Sequence, residues 1–335
     1  MSMLRGSGAY AMDEERKYKV GVSIVIPVFN EINTLRPLYD SITAVLKNEK
    51  KEYEIIFIDD GSTDGSFAGI KELSAADSRV RLIKFERNFG QTAALMAGID
   101  AAEGEIIVTI DGDFQNMPDD IPLLLREQEK GYDLVCGWRY ERKDGFFLRR
   151  IPSTLANRLI SWIFKLRLHD YGCTLKAVRS KSIKSLKLYG EMHRFIPGII
   201  AHEGGKVTEI KVKHNARAFG KSNYGLKRVL KVLFDLFLLE FMMYYSTCPI
   251  HFFGYFSVAG IGLGVIVGSF TLYQRYVTNL PGVNLLPLVL LTMFLILIGV
   301  QTILIGILAE IAIRIFYETQ KGSTYCIEKV INRPK

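Results

Sequence analysis

The sequence predicts an α/β protein with a mostly parallel, doubly wound sheet, followed by a hairpin of two transmembrane helices. Short β-branched runs alternate with helical periodicity from Val20 to about Val135, as is typical of such sheets. Two later stretches, residues 249–274 and 276–309, contain no Asp, Glu, Lys or Arg. Each exceeds the ~20 apolar residues that cross a ~30 Å hydrocarbon layer. The 335 residues therefore suffice for one α/β domain and a membrane anchor.

The α/β domain is predicted to contain alternating strands and helices. The strands are residues 22–27, 53–58, 80–85, 105–110 and 133–137. The helices are residues 33–47, 66–76, 91–103 and 119–130, with Asn33 or Thr34 as the cap of the first. Because such strands run parallel, the loops that follow them meet at one edge of the sheet.

Composition suggests limits for the other segments. We expect a flexible N-terminus at 1–17, which lacks the apolar core of a signal peptide. The α/β domain should span 18–223, a juxtamembrane amphipathic helix 224–248, the two membrane helices 249–316 and a cytoplasmic tail 317–335. Residues 146–168 and 224–245 mix bulky apolar residues with Arg and Lys, a pattern typical of helices in the membrane interface. For 146–168 an ordinary core-facing helix is an equal alternative.

Charge predicts how the hairpin is oriented. The spans are expected at residues 249–273 and 285–313, with Pro281-Gly282-Val283-Asn284 as the turn between them. Eight Lys and Arg residues lie between 206 and 231 and five follow 313, whereas the connecting loop holds only Arg275. Both ends should therefore face the cytoplasm. The net charge of +8 fits an anionic membrane surface, and no nucleic-acid recognition motif accompanies it.

The predicted functional site begins with Asp111-Gly112-Asp113-Phe114-Gln115, directly after the strand at 105–110. Two carboxylates and an amide thus emerge at a strand's carboxyl end, where open α/β sheets bind ligands. Such oxygen ligands suit Mg²⁺ or Mn²⁺, whose remaining coordination positions substrate phosphates can fill. The alternative is an acidic strand end without a ligand.

Other loops at the same edge favour a nucleotide diphosphate as the ligand. They are Pro27-Val28-Phe29-Asn30-Glu31, Asp59-Asp60-Gly61-Ser62 and Arg87-Asn88-Phe89-Gly90-Gln91. An aromatic ring, several acids that accept base or ribose hydrogen bonds, and a metal site suit that ligand. The chain has no GxGxxG and no Walker lysine, which argues against dinucleotide oxidoreductases and P-loop enzymes.

Taken in order, these motifs resemble glycosyltransferase family 2, the inverting transferases with the Rossmann-like GT-A fold. Further matching segments are Gly137-Trp138-Arg139, Asp170-Tyr171-Gly172-Cys173-Thr174-Leu175-Lys176 and Arg217-Ala218-Phe219-Gly220-Lys221-Ser222, followed by two spans. Together they resemble the polyprenyl-phosphate branch, which includes dolichyl-phosphate mannose synthases, undecaprenyl-phosphate glucosyltransferases and, most similar here, formamido-arabinose transferases. Lys176 and Asn223 depart from the pattern of some relatives, which often carry Arg and Lys at these two positions.

The resemblance implies transfer of one sugar from a nucleotide sugar, UDP favoured over GDP, to undecaprenyl or dolichyl phosphate at the cytoplasmic face. It implies Mg²⁺ or Mn²⁺ on Asp113 and Gln115. Asp111 would bind ribose or sugar hydroxyls, or orient the metal ligands. The nucleotide site is predicted to include Pro27, Phe29, Glu31, Asp59, Asp60, Asn88, Gln91, Asp111 and Gly112. Asp60 could equally cap the helix that follows it.

The acceptor phosphate is expected to meet cations, because guanidinium forks match phosphate oxygens. The candidates are Arg139, Arg149, Arg150, Lys176, Arg217 and Lys221, of which Arg139 and Arg217 are the strongest. An ionised phosphate is already a nucleophile, so no general base is predicted. Asp170 is the residue to suspect if one were needed, and a turn role is its simpler interpretation.

Two other functions remain open. A processive polysaccharide synthase would usually carry a Gln-x-x-Arg-Trp motif and more spans, and the sequence has neither. A catalytically inactive membrane scaffold that binds nucleotide sugars is the other alternative, against which Asp113 and Gln115 weigh. The resemblance also points to a homo-oligomer, such as a tetramer.

Overall fold

A computed structural model describes residues 18–49, 51–140, 160–161, 163–188, 190–215, 249–319 and 327–331, with positions 234, 236, 237, 241 and 245. The predicted N-terminal segment 1–17, residues 146–159 and most of 224–248 lie outside the described residues. The chain divides into two compact units, one built on a β-sheet and one containing the two long apolar helices.

An eight-stranded mixed sheet organises the first unit, in the order β7-β5-β6-β4-β1-β2-β3-β8. The strands are β1 (Val20–Val28), β2 (Tyr53–Asp59), β3 (Val80–Phe85), β4 (Gly104–Thr109), β5 (Leu134–Arg139), β6 (Lys176–Arg179), β7 (Val207–Val212) and β8 (Ile327–Ile331). β1 pairs in parallel with β2 and β4, β2 with β3, and β5 with β7. β6 and β8 run antiparallel to their neighbours. The predicted mostly parallel sheet is confirmed, and the strands predicted as β1–β5 agree with it to within two residues.

Helices connect these strands. They are α1 (Ile32–Lys47), α2 (Ser66–Ala76), α3 (Gln91–Ala101), α4 (Ile121–Glu129), α5 (Ser180–Ile183) and α6 (Ile196–His202), with 3₁₀ turns at Pro118–Asp120 and Met192–Phe195. The central strands are apolar on both faces. Ile24, Ile55 and Val108 on one face, and Val25 and Ile56 on the other, are fully buried. Parallel strands covered on both sides have this continuous apolar character.

The predicted cap of α1 is wrong. Asn33 and Thr34 both lie inside the helix, which begins at Ile32. The Ile32 N–H donates instead to Asp64 Oδ2 at 3.0 Å, and the Thr34 hydroxyl donates to the Gly112 carbonyl at 2.6 Å. A carboxylate from the loop after β2 therefore caps α1, and residues so far apart in sequence cannot be paired from local pattern.

The strand order places a switch point between β1 and β4. From β1 the chain continues outward through β2 and β3 on one side, whereas β4 lies on the other side of β1. In open α/β sheets the crevice at such a reversal, outside the carboxyl ends of the strands, binds ligands. Glu31 and Asp111 follow the two strands that flank it.

The second unit contains α7 (Pro249–Tyr276) and α8 (Gly282–Thr319), both long and apolar enough to cross a membrane. Their backbones approach closely: a Cβ added to Gly299 would lie 2.6 Å from Ile261 Cγ1 and 3.0 Å from the Ser257 carbonyl oxygen. The turn differs from the prediction, because α8 already begins at Gly282 and the connection spans residues 277–281. Pro281 immediately precedes the helix, where its fixed φ does not obstruct the first turn.

β8 was not anticipated in the tail that follows α8. Its backbone pairs antiparallel with β3, Leu82 opposite Ile331 and Phe85 opposite Ile327, with an irregularity between Lys84 and Phe85. The tail therefore completes the edge of the sheet in the first unit.

Candidate active site

The predicted loops meet at the carboxyl edge of β1–β4. Val28 at the end of β1 lies opposite Asp59 at the end of β2, and Val25 lies opposite Thr109 near the end of β4. The Asp60 N–H donates to the Val28 carbonyl at 2.9 Å, which ties the second loop to the first. Parallel register thus brings the acidic segments after β2 and β4 to either side of the loop after β1.

Asp111 is a strongly perturbed carboxyl at this edge of the sheet. Its Oδ1 accepts a 2.7 Å hydrogen bond from Gln91 Nε2, at the start of α3. Desolvation, followed by the negative charge of Asp113, raises the pKa of the Asp111 carboxyl to about 6. A hydrogen bond from the Thr174 hydroxyl and the charges of Arg139 and Lys176 act in the opposite direction.

The loop from Asp111 to Gln115 has an unusual backbone. Phe114 has a φ of 56°, in the left-handed region that non-glycine residues rarely adopt. Asp113 Oδ1 accepts the Gln115 N–H at 3.2 Å, and the Gln115 carbonyl accepts the Asn215 N–H at 2.9 Å. Strain of this kind clusters at ligand sites because the surrounding structure holds it in place.

The residues present fit a divalent cation. The negative charge of Asp113 adds to burial in raising the pKa of the Asp111 carboxyl, and a cation beside the two carboxylates would offset their repulsion. Carboxylate and amide oxygens are the ligands that Mg²⁺ and Mn²⁺ accept. The described residues contain no group of three or more His, Cys, Asp or Glu that could hold a metal. Water or substrate phosphate oxygens can fill the remaining coordination positions of such an ion.

Asp59 is fully buried and keeps an unused hydrogen-bonding atom. Its Oδ1 accepts the Ser62 N–H at 3.2 Å, whereas Oδ2 has no hydrogen-bond partner among the residues that the structure describes. A buried carboxylate oxygen without a donor is costly. This atom is therefore suited to an N–H or O–H of a ligand.

Asp60 holds the loop after β3. Its two oxygens accept the N–H groups of Phe89 and Gly90 at 2.7 and 2.9 Å, and burial raises the pKa of its carboxyl. The alternative prediction, that Asp60 caps the next helix, is wrong. α2 starts at Ser66, and Asp64 Oδ1 accepts the Ser66 N–H at 2.9 Å.

The loops that carry the remaining predicted nucleotide-site residues approach each other closely at two glycines, Gly61 and Gly112. Gly61 has a φ of 74°, and a Cβ there would lie 2.7 Å from the Asn88 nitrogen, so a side chain would displace the loop after β3. A Cβ on Gly112 would lie 3.2 Å from the Pro27 carbonyl oxygen. Phe29 is exposed, and the Glu31 N–H donates to Ser66 Oγ at 3.0 Å. The predicted nucleotide-site residues thus lie at this edge, in its loops or at the adjoining ends of β1, β2 and α3, and their binding roles stay predictions.

The structure describes two of the residues that were predicted to bind the acceptor phosphate, Arg139 and Lys176. Arg139 at the end of β5 donates from Nε and Nη2 to the two oxygens of Asp170, at 2.6 and 2.9 Å. Asp170 is buried, and its Oδ1 also accepts the Gly172 N–H at 3.0 Å. Asp170 therefore combines the expected turn role with an ion pair that the sequence did not predict. Arg149, Arg150, Arg217 and Lys221 lie outside the described residues.

Lys176 is buried rather than presented at the surface. It lies on β6 opposite Thr109 of β4 and Cys136 of β5, next to the strand end that carries Asp111. Burial lowers the pKa of its ammonium group, while nearby thiols, Asp170 and Asp111 raise it. The Lys176 side chain is thus buried beside the strand end that carries Asp111, and its contact with an acceptor phosphate stays a prediction.

Thr174 is a site residue that the sequence did not single out. Asn116 Nδ2 donates to Thr174 Oγ1 at 3.0 Å, and the Thr174 hydroxyl bonds Asp111. Its carbonyl accepts the Thr109 hydroxyl at 2.6 Å, which fixes the segment against β4. The only signal was its place within the Asp170–Lys176 motif.

Comparison with known proteins agrees with this geometry. Residues 23–187 match glycosyl transferase family 2. The chain is 41% identical over 317 residues to the dodecaprenyl-phosphate galacturonate synthase of Rhizobium johnstonii, with 93% of each chain covered. It is 36% identical to the undecaprenyl-phosphate 4-deoxy-4-formamido-L-arabinose transferase of Shewanella sediminis, with 92% of each chain covered.

Solved structures share the fold of the sheet-containing unit. The glucosyl-3-phosphoglycerate synthase of Mycobacterium tuberculosis, solved with Mn²⁺, UDP and glucosyl-3-phosphoglycerate, superposes with a TM-score of 0.52 at 20% identity. The superposition covers 67% of this chain and 80% of that chain. At this identity the likeness shows a common GT-A-like architecture.

Proposed function

The chain belongs to glycosyl transferase family 2, and from this premise we propose that it transfers one sugar from a nucleotide diphosphate sugar to a polyprenyl phosphate. The two relatives named above act on different sugars, but both are named for a polyprenyl phosphate carrier. The carrier is therefore the better supported part of the proposal, and the sugar stays open.

One observation carries the donor site: burial, and after it the negative charge of Asp113, raises the pKa of the Asp111 carboxyl to about 6 at the switch point of the sheet. A diphosphate with its cation fits such a place. Asp113 and Gln115 would hold Mg²⁺ or Mn²⁺. When bound, the ion would neutralise diphosphate charge and stabilise the departing nucleotide.

The protein's own side chains orient the donor. Asp59 Oδ2 would accept an N–H of the base, since it is buried without a partner among the described residues. Gln91 and Thr174 hold Asp111 in place to accept ribose or sugar hydroxyls. The preference for UDP rests on the resemblance to bacterial relatives. The solved complex of the same fold with Mn²⁺ and UDP supports the choice of this ion and this nucleotide for binding experiments.

The acceptor must bring a second anion to this place. Two unit charges 4 Å apart repel by about 4 kcal/mol at an effective dielectric near 20, so cations must offset the approach of the lipid phosphate. Arg139 is suited to this because Asp170 fixes its guanidinium in one orientation. Lys176 would add positive charge beneath the site.

The phosphate oxygen itself is the proposed nucleophile. Asp170 is an unsuitable base because both of its oxygens already bind Arg139. Attack on the anomeric carbon displaces the nucleotide diphosphate, so an α-linked donor would give a β-linked lipid phosphosugar. The proposed place is the cytoplasmic membrane face, with α7 and α8 as the anchor of a homo-oligomeric enzyme.

The test offers purified enzyme undecaprenyl or dolichyl phosphate, Mn²⁺ and a panel of labelled donors that includes UDP-galacturonate, UDP-glucose and GDP-mannose. We expect label in a lipid product with one UDP-sugar, and none when undecaprenol replaces the phosphate, because the alcohol lacks the ionised nucleophile. Polymer growing beyond one sugar would indicate a processive synthase. Failure with every donor, despite nucleotide binding, would favour a scaffold.

A further inference from the structure

His193 is a buried side chain that the proposed reaction does not yet use. It lies in the 3₁₀ turn Met192–Phe195 and is 4% exposed. Its Nδ1 is 2.7 Å from the hydroxyl oxygen of Thr92, in the first turn of α3. The same hydroxyl makes a short hydrogen bond to the Gly190 carbonyl.

These contacts determine whether Thr92 or His193 donates the proton in the hydrogen bond between them. A threonine hydroxyl has one proton to donate, and a carbonyl oxygen can only accept. The Thr92 proton is therefore committed to Gly190. His193 must then be the donor to Thr92, so its Nδ1 carries a proton.

Thr92 is adjacent to the residue that holds Asp111. Gln91 begins α3 and donates to Asp111 Oδ1 at 2.7 Å. The cap residue of α3, Gly90, provides no side chain, and its N–H is bound by Asp60 at 2.9 Å. The first turn of α3 is thus fixed on one side by Asp60 and on the other by His193 through Thr92.

We propose that His193 is a positioning residue for the donor side of the site: its Nδ1–H fixes Thr92, and through it the Gln91 amide that orients Asp111. The proposal rests on the proposed sugar transfer for its kinetic consequence. It does not require His193 to touch the donor.

Two variants of similar polarity separate this role from simple packing. In His193→Asn the amide nitrogen occupies the position of Nδ1, whereas in His193→Gln it reaches the position of Nε2. We expect H193Q to lower kcat/KM for the donor about tenfold, the size of one buried hydrogen bond, and H193N to stay within about threefold of wild type. The KM for polyprenyl phosphate should not change in either variant.

A double-mutant cycle tests whether the effect passes through Gln91. With Gln91→Ala in the background, the H193Q step should lose most of its effect, because the amide that it positions is gone. An equal loss from H193Q with and without Gln91, or a matching loss in H193N, would overturn the proposal.

Hydrogen exchange provides a readout that does not depend on turnover. Backbone amides of residues 91–96 should exchange about tenfold faster in H193Q and in Thr92→Val than in wild type or H193N. Unchanged exchange would refute the positioning role even in an active enzyme. Faster exchange in a protein that transfers no sugar would instead leave the positioning intact and refute the proposed function.

Discussion

Asp59 and Asp60 are adjacent carboxylates at the end of β2, yet their oxygens are used differently. Both oxygens of Asp60 bind backbone N–H groups of the loop after β3. Asp59 keeps one buried oxygen without a partner among the described residues. Asp60 therefore holds the backbone of the loop after β3 in place, whereas Asp59 is suited to bind a ligand.

Replacing Asp59 by Asn should weaken donor binding. The amide can still accept the Ser62 N–H, but its NH₂ group would face the ligand's donor where Oδ2 stood. We expect the donor KM to rise at least ~10-fold, equivalent to one lost charge-assisted hydrogen bond, with the acceptor KM unchanged. Steady-state kinetics check this, with the exposed Asp40→Asn as control. A donor KM equal to wild type would show that Oδ2 does not bind the donor.

The Arg139–Asp170 pair makes a prediction about stability. Their side chains are 15% and 3% exposed, so Asp170→Asn leaves a nearly buried guanidinium without its counter-charge. The free energy of unfolding should fall by ~3 kcal/mol. Asp40→Asn removes the partner of Arg36 in an exposed pair and should change it by less than ~0.5 kcal/mol. Urea unfolding in detergent, followed by tryptophan fluorescence, measures the stability of both variants. Equal unfolding midpoints for D170N and D40N would show that the Arg139–Asp170 pair does not stabilise the fold.

Local pattern was enough to place Asp111 and Asp113 at the carboxyl edge of the sheet, but not to identify the residues that contact them. Asp111 and Asp113 could be predicted because they directly follow a buried β-branched run. The bonds from Gln91 and Thr174 to Asp111 could not, since they join residues 20 or more positions apart that only the tertiary fold brings together. The contact between Arg139 and Asp170 was not predicted for the same reason, since the two residues lie 31 positions apart in the sequence.

At the level of elements, the start of α1 depends on the loop after β2. Asp64 accepts the Ile32 N–H at 3.0 Å and the Ser66 N–H at 2.9 Å, so one carboxylate caps both α1 and α2. Asn30, with a φ of 57°, accepts the Thr63 N–H at 2.8 Å and reinforces this junction. The loop that carries Phe29 and Glu31 is thereby fastened to the one that carries Asp59.

Removing this shared cap should destabilise the domain. We expect Asp64→Ala to lower the free energy of unfolding by ~2 kcal/mol, because two helix ends lose an acceptor. Glu72→Ala, at an exposed position of α2, is the control and should have little effect. Chemical denaturation of the two variants makes the comparison, and an unfolding curve of D64A that overlays wild type would rule out the double cap.

Strand and helix positions were largely predictable, because periodicity and burial agree in β1–β5 and α1–α4. The exceptions share a cause. β6 and β8 are short, antiparallel strands that pair with strands far away in the sequence, which local pattern does not reveal. β8, for example, pairs with β3, some 240 positions earlier in the chain. The cap of α1 was missed for the same reason.

At the scale of the whole molecule, β8 constrains the path of the chain. The sheet contains strands that precede α7 and a strand that follows α8. A chain that leaves this sheet and returns to it must cross a bilayer an even number of times. With α7 and α8 as two membrane crossings, we therefore predict that both ends of the hairpin face the same side of the bilayer and that the turn 277–281 faces the other.

Cysteine labelling tests this topology. In intact cells, a membrane-impermeant maleimide should label Asn279→Cys in the turn but not Ser78→Cys, an exposed position before β3. Both should be labelled after permeabilisation, and the wild-type chain supplies the background from its own cysteines. Labelling of S78C in intact cells would place the sheet outside.

The most direct test of the proposed chemistry compares the lipid product of wild type and Asp113→Ala by mass spectrometry, with undecaprenyl phosphate and the preferred donor. Wild type should form a lipid phosphosugar that disappears with EDTA and returns with Mn²⁺. D113A should lose at least ~100-fold in rate while its hydrogen exchange stays that of a folded chain, because a metal ligand has been removed from the reaction centre. Product at the wild-type rate from D113A, or from wild type in EDTA, would contradict metal-dependent transfer at the Asp111–Asp113 edge.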